Sequence, residues 1–125
     1  MSALQDARAH LEKASEFLNA ATITFDRRLF NAATSNAVSC GINAKDAICL
    51  KLTGRSDKTE SHSEAAAELT RAGPAAALIA PTLTRLLGMK SKSQYQSTSV
   101  ARADATKALR WAQRMYEAAK EIVRS

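Results

Sequence analysis

The stretch VARADATKALRWAQRMYEAAKEIV, residues 100–123, sets Ala101, Ala105, Ala108, Ala112, Met115, Ala119 and Ile122 at alternating steps of four and three residues. Such steps return to one face of an α-helix, and Leu109, Tyr116 and Val123 flank that face. A seam built mainly of alanine is narrow and needs a neighbouring helix at close range. That neighbour is either the first helical hairpin of the same chain or the same helix of a second subunit, and the spacing leaves both open.

Immediately upstream, the serine-rich residues 96–99 read as a linker and N-cap for this helix, which is expected over about residues 100–123. Before them, residues 75–87 form a helix with an apolar end at Leu83, Leu86 and Leu87, stopped by Gly88. Pro81 falls inside that run, where proline removes a backbone donor, so a kink or a fresh start is expected there. A shorter helix precedes it, opened by Ser61 and Glu64 in capping-box spacing and closed near Gly73. Residues 55–61 are polar and aperiodic and read as a loop after Gly54.

At the start of the chain, Leu4, Ala7, Leu11, Ala14, Leu18, Ala21 and Phe25 share one face of a helix from Ala3 to Asp26, with Ser2 as its N-cap. The polar break at residues 26–29 is brief. A turn this short returns the next periodic run, Phe30, Ala33, Ala37, Gly41, Ala44, Ile48 and Leu52, as the second arm of a helical hairpin. The small residues of that run let two backbones approach closely.

The fold class expected is therefore all-α: an up-and-down bundle of four to five helices with long first, second and last members, filling residues 1–125 as one domain. Composition agrees, because aromatics are 5% and prolines number two, whereas alanine dominates the apolar 46%. A chain of 125 residues buries about two-thirds of its unfolded surface in one core. Cys40 and Cys49 stand nine residues apart on one helix, about 13 Å of rise and too far for a bridge, and so read as free thiols. Free thiols and the lack of a signal-like apolar segment point to a cytoplasmic location. No apolar run approaches the ~20 residues of a membrane span.

The net charge of +6 is unevenly spread: residues 80–125 carry nine basic and three acidic side chains, against two basic and four acidic in residues 1–26. Such a field attracts phosphates or acidic partners. Lys107, Arg110 and Arg114 share one face of the last helix, and Arg102 extends it. In residues 89–95, Lys90 and Lys92 are point charges for phosphate, and Tyr95 can stack on a base or anchor its ring in the bundle. These residues, with Arg110 and Arg114, form the candidate phosphate or nucleotide set. Trp111 reads as a filler between helices, His10 as a surface residue, and the pairs Glu12 with Glu16 and Glu64 with Glu68 as exposed faces. No glycine-rich phosphate loop and no ligand-spaced histidine or cysteine set is present, so neither a metal nor a cofactor is expected.

Leu11-Glu12-Lys13-Ala14, Phe17-Leu18, the entry Arg28-Leu29-Phe30-Asn31-Ala32-Ala33, the Gly54 loop leading to His62, the leucine-rich fourth helix, residues 90–95 and the alanine-spaced last helix together resemble a HEPN (higher eukaryotes and prokaryotes nucleotide-binding) domain over residues 11–123. The resemblance implies a helical bundle, a homodimer, and a nucleotidyltransferase-like or toxin–antitoxin-type partner. Many members are metal-independent ribonucleases whose arginine and histidine stand four to six residues apart near the dimer cleft. The matching region here supplies Lys90 and Tyr95 but no histidine. A literal arginine and histidine pair occurs elsewhere, as Arg55 and His62 flanking the loop before the third helix.

The leading expectation is an interaction module of this kind without nuclease chemistry, binding a nucleotidyltransferase-like protein, or a nucleotide or RNA through its basic C-terminal side. One alternative is a ribonuclease toxin using Arg55 and His62. The other is a structural helical adaptor with an incidental basic surface.

Overall fold

A computed structural model describes residues 2–58, 61–94 and 97–125. The five helices expected from the sequence are present, joined by one short extra turn, and no strand occurs among the described residues. Helix α1 (Ala3–Asp26) begins with a complete capping box: Ser2 Oγ accepts from the Gln5 N–H, and the Gln5 side chain accepts from the Ser2 N–H. It ends in a turn in which Arg28 adopts a left-handed φ of 62° and the Leu29 N–H donates to the Thr24 carbonyl. Phe25 and Phe30 bracket this turn with ring centroids 5.5 Å apart, edge to face.

Helix α2 (Phe30–Thr53) is the central element, packed against every other helix of the bundle. Ala33, Ala37, Gly41 and Ala44 are buried as their spacing predicts, and Gly41 lies where an added methyl would collide with the Leu86 side chain. Burial extends well beyond that stripe, taking in Val38, Cys40, Ala47 and Cys49. Gly54 closes the helix at φ 79°, a left-handed conformation that glycine adopts without steric cost.

Helix α3 (His62–Ala72) is capped by Ser61, whose hydroxyl accepts from the Glu64 N–H. It passes directly through Gly73 into α4 (Pro74–Leu87). Of the kink or fresh start expected at Pro81, the fresh start does not occur. Pro81 is exposed, so the carbonyl its missing N–H would have bonded can turn to water, and the helix continues through it.

A short helix, α5 (Lys90–Gln94), stands where the sequence suggested only a junction, and Ser35 Oγ donates to Ser93 Oγ to hold it on α2. The last helix, α6 (Arg102–Arg124), starts two residues later than its periodicity suggests. Val100 is buried and its N–H donates to the Asn31 side chain, which draws the chain onto α2 before the helix begins. Ala101 then serves as an N-cap without a side-chain hydrogen bond, so the serine cap expected from residues 96–99 is not formed.

The alanine seam of α6, from Ala105 through Ala119, is buried against α2, α1 and α4 of the same chain. This decides between the two neighbours that the sequence left open. Trp111 is half-buried against the core, as a filler between helices should be. The Lys51 ammonium donates to the carbonyls of Val123 and Ser125, satisfying acceptors that the end of α6 would otherwise leave open.

Candidate functional site

Lys45 and Asp46 sit side by side on α2 and are 3% and 5% exposed, too buried to be solvated charges. Partners converge on them. Lys45 Nζ pairs with Glu68 of α3, donates to Ser56 Oγ and to the Asp57 carbonyl at 3.0 Å each, and lies 3.5 Å from Asp46 Oδ1. Ser56 Oγ donates to Asp46 Oδ1 at 2.6 Å, and the Asp57 N–H donates to Glu68 Oε2 at 2.9 Å. Two buried carboxylates thus share one buried ammonium, with the exposed Lys58 3.8 Å from Asp46.

Two expectations are corrected here. Glu68 is not on an exposed face; it points into the bundle as the counter-ion of Lys45, while Glu64 one turn earlier is exposed. His10 is not a free surface residue either, because its Nδ1 lies 2.9 Å from Asn43 Oδ1 and 3.9 Å from Asp46 Oδ2 across the α1–α2 contact.

The network fixes residues 54–58 between α2 and α3, and beside it opens a cavity of about 290 Å³. Ile42, Ala65, Leu83 and Leu87 form its apolar wall; Lys45, Asp46, Asp57, Lys58, Ser61, His62 and Lys90 supply the polar one. Of the candidate residues, the structure brings His62 and Lys90 together on this cavity. Arg55 is exposed at the start of the loop and is not among the described lining residues, its carbonyl accepting from Thr53 Oγ1 at 2.9 Å. Lys92 pairs with Asp104 at 3.3 Å, and Tyr95 lies outside the described residues.

Arg110 and Arg114 are exposed on α6 together with Lys107, and none of the three has an ion pair among the described residues. Arg102 instead stacks over the Phe25 ring, 5.5 Å from its centroid. The cationic patch read from the sequence is therefore divided, with Lys90 in the cavity and Arg110 and Arg114 on an open helix face. Among the described residues no three His, Cys, Asp or Glu side chains are grouped to hold a metal ion.

Both cysteines are buried free thiols. Burial pushes the Cys40 thiol up to about 12; burial and then the Glu68 carboxylate push Cys49 up to about 11. Between the ordinary value of 9.0 and about 12, the unfolded chain has lost the Cys40 proton that the folded chain keeps. The unfolded state then binds fewer protons, so stability falls as pH rises through that window, and below it the thiol has no effect. Urea unfolding between about pH 9 and 11 is expected to show the native chain losing up to about 1.4 kcal/mol per pH unit more than Cys40→Ala. Equal slopes in the two proteins would refute the assignment.

Sequence reasoning missed Lys45 and Asp46. Their signal was present: a charged pair enclosed by Ala44 and by Ala47-Ile48-Cys49.

The HEPN domain family model matches residues 7–122, nearly the whole chain. No curated protein matches it.

Proposed function

The chain belongs to the HEPN domain family, and from that premise we propose that it is an RNA-binding interaction module that does not cleave its ligand. The observation that carries the reading is the face of α6, where Lys107, Arg110 and Arg114 are exposed without ion pairs among the described residues. Three cations at helical spacing follow a phosphate backbone, giving an affinity that falls with salt and depends little on base identity. Lys92, which pairs with Asp104 of α6, extends this phosphate-binding set. The module acts as a homodimer beside a nucleotidyltransferase-like partner, as the family resemblance implies.

The test is single-stranded RNA binding by the purified chain over a range of salt. Replacing Arg110 and Arg114 with alanine is expected to weaken binding more than about tenfold at low salt. The logarithmic salt dependence should also flatten by roughly 0.7 for each phosphate that the protein no longer neutralises. Unchanged affinity and slope would remove α6 from the reading. RNA recovered intact after long incubation with chelator supports the absence of cleavage.

One observation favours the histidine of a second reading, a ribonuclease using Arg55 and His62: His62 lines a cavity beside lysines, although Arg55 lies outside that lining. Metal-free cleavage abolished by His62→Ala would establish that reading in place of the first.

A further inference from the structure

We infer that the cavity between α2, α3, α4 and Lys90 is a binding site for a small amphiphilic anion, with a phosphate or carboxylate head on Lys90 and His62 and an apolar body against Ile42, Leu83 and Leu87. This site is separate from the α6 face and goes beyond RNA binding.

Most of the charged lining is already paired. Lys45 lies between Asp46 and Glu68, and Ser56 and the Asp57 N–H complete their hydrogen bonding. Lys58 reaches Asp46 from the solvent side. With Lys58 counted, two cations face two carboxylates, so those groups carry no net charge to offer a ligand. Lys90 and His62 remain. Both are half-buried, both line the cavity, and neither side chain has a hydrogen-bond or ion-pair partner among the described residues. Among the described lining residues, Asp57 is the one carboxylate outside the ion pairs, and it is exposed at the rim. Two half-buried donors on one cavity therefore select an acceptor-rich, negatively charged head.

The apolar part of the lining selects the rest of the ligand. Leu83 and Leu87 are 1% and 4% exposed and belong to the core, so this surface is rigid, while Ile42 at 38% exposure forms its outer lip. A volume of about 290 Å³ lies at the lower edge of the range for small-molecule pockets, which favours a compact body such as one ring or a short chain. The ionic network also gives the site a fixed frame, because it ties the loop wall at Ser56 and Asp57 to both α2 and α3.

Titrating the purified chain with phenyl phosphate, benzoate and inorganic phosphate, followed by calorimetry or amide chemical shifts, tests the site. Phenyl phosphate or benzoate is expected to bind with a dissociation constant of about 1 mM or below, and at least about tenfold tighter than inorganic phosphate. Lys90→Gln and His62→Gln should each weaken that binding about fivefold or more, and Ile42→Ser should narrow the gap to inorganic phosphate. Arg110→Ala with Arg114→Ala should leave it unchanged, which separates this site from RNA binding at α6. Three results would each overturn the inference: no saturable binding of either ring-bearing anion, affinity equal to that of inorganic phosphate, or indifference to both Lys90→Gln and His62→Gln in variants whose thermal unfolding matches the native chain.

Discussion

Replacing Lys45 by alanine is expected to destabilise the fold by about 3–5 kcal/mol, the range for removing one partner of a buried ion pair. The cause is what remains. Glu68 keeps the Asp57 N–H and Asp46 keeps the Ser56 hydroxyl, but no buried cation is left between two carboxylates that are 9% and 5% exposed. Lys58, with its side chain 81% exposed, is screened by solvent and cannot stand in. The loop should loosen as well, because Lys45 holds both the Ser56 hydroxyl and the Asp57 carbonyl. Urea unfolding measures the loss, and limited proteolysis at Arg55 or Lys58 reports on the loop. A second variant isolates the charge from the side-chain volume: Lys45→Met with Glu68→Leu removes an opposite pair together and should be less damaged than Lys45→Met alone. If Lys45→Ala costs under about 1 kcal/mol, or if the double variant is worse than the single, the network is not what holds the loop.

Why the fold was legible and this network was not follows from how periodicity works. In α6 the apolar residues lie on one side and the charges on the other, so the steps from Ala105 to Ile122 announce both the helix and its buried face. The same rule applied to α2 finds the stripe from Ala33 to Ile48 and assigns everything else to solvent. But α2 is surrounded, and a surrounded helix buries residues on several faces, including Lys45 and Asp46. Amphipathic reasoning misplaces such charges because it assumes a single buried side. Glu68 is misplaced for a related reason, since its spacing from Glu64 suggests a shared exposed face although Glu68 turns inward to Lys45. His62 and Lys90 come from separate helices, and only the folding of α4 between α3 and α5 puts them on one cavity. At the start of α6 the periodicity misleads in the other direction, because Val100 is buried by its tie to Asn31 rather than by being helical.

The close approach of α2 and α4 sets up a second large effect. Leu86→Ala is expected to cost about 3–5 kcal/mol, toward the upper part of the range for buried leucine. Leu86 is fully buried and lies over Gly41, so the facing position on α2 has no side chain that could turn into the space left behind. Gly41→Ala fails for the opposite reason. Its methyl would collide with Leu86 and come within 3.7 Å of Leu83 Cδ1, both of them core residues with little room to move. Overpacking of this kind costs about 1–3 kcal/mol, offset by roughly 1 kcal/mol from the better helix propensity of alanine. In the combined variant the new methyl occupies part of the space that Leu86 vacates, so the two losses should fall short of additivity by about 1 kcal/mol or more. Denaturant unfolding of the two single variants and the double gives this coupling directly. Strict additivity would mean that α2 and α4 adjust independently at this crossing, and that the spacing of Ala37, Gly41 and Ala44 is set by α1 and α6 instead.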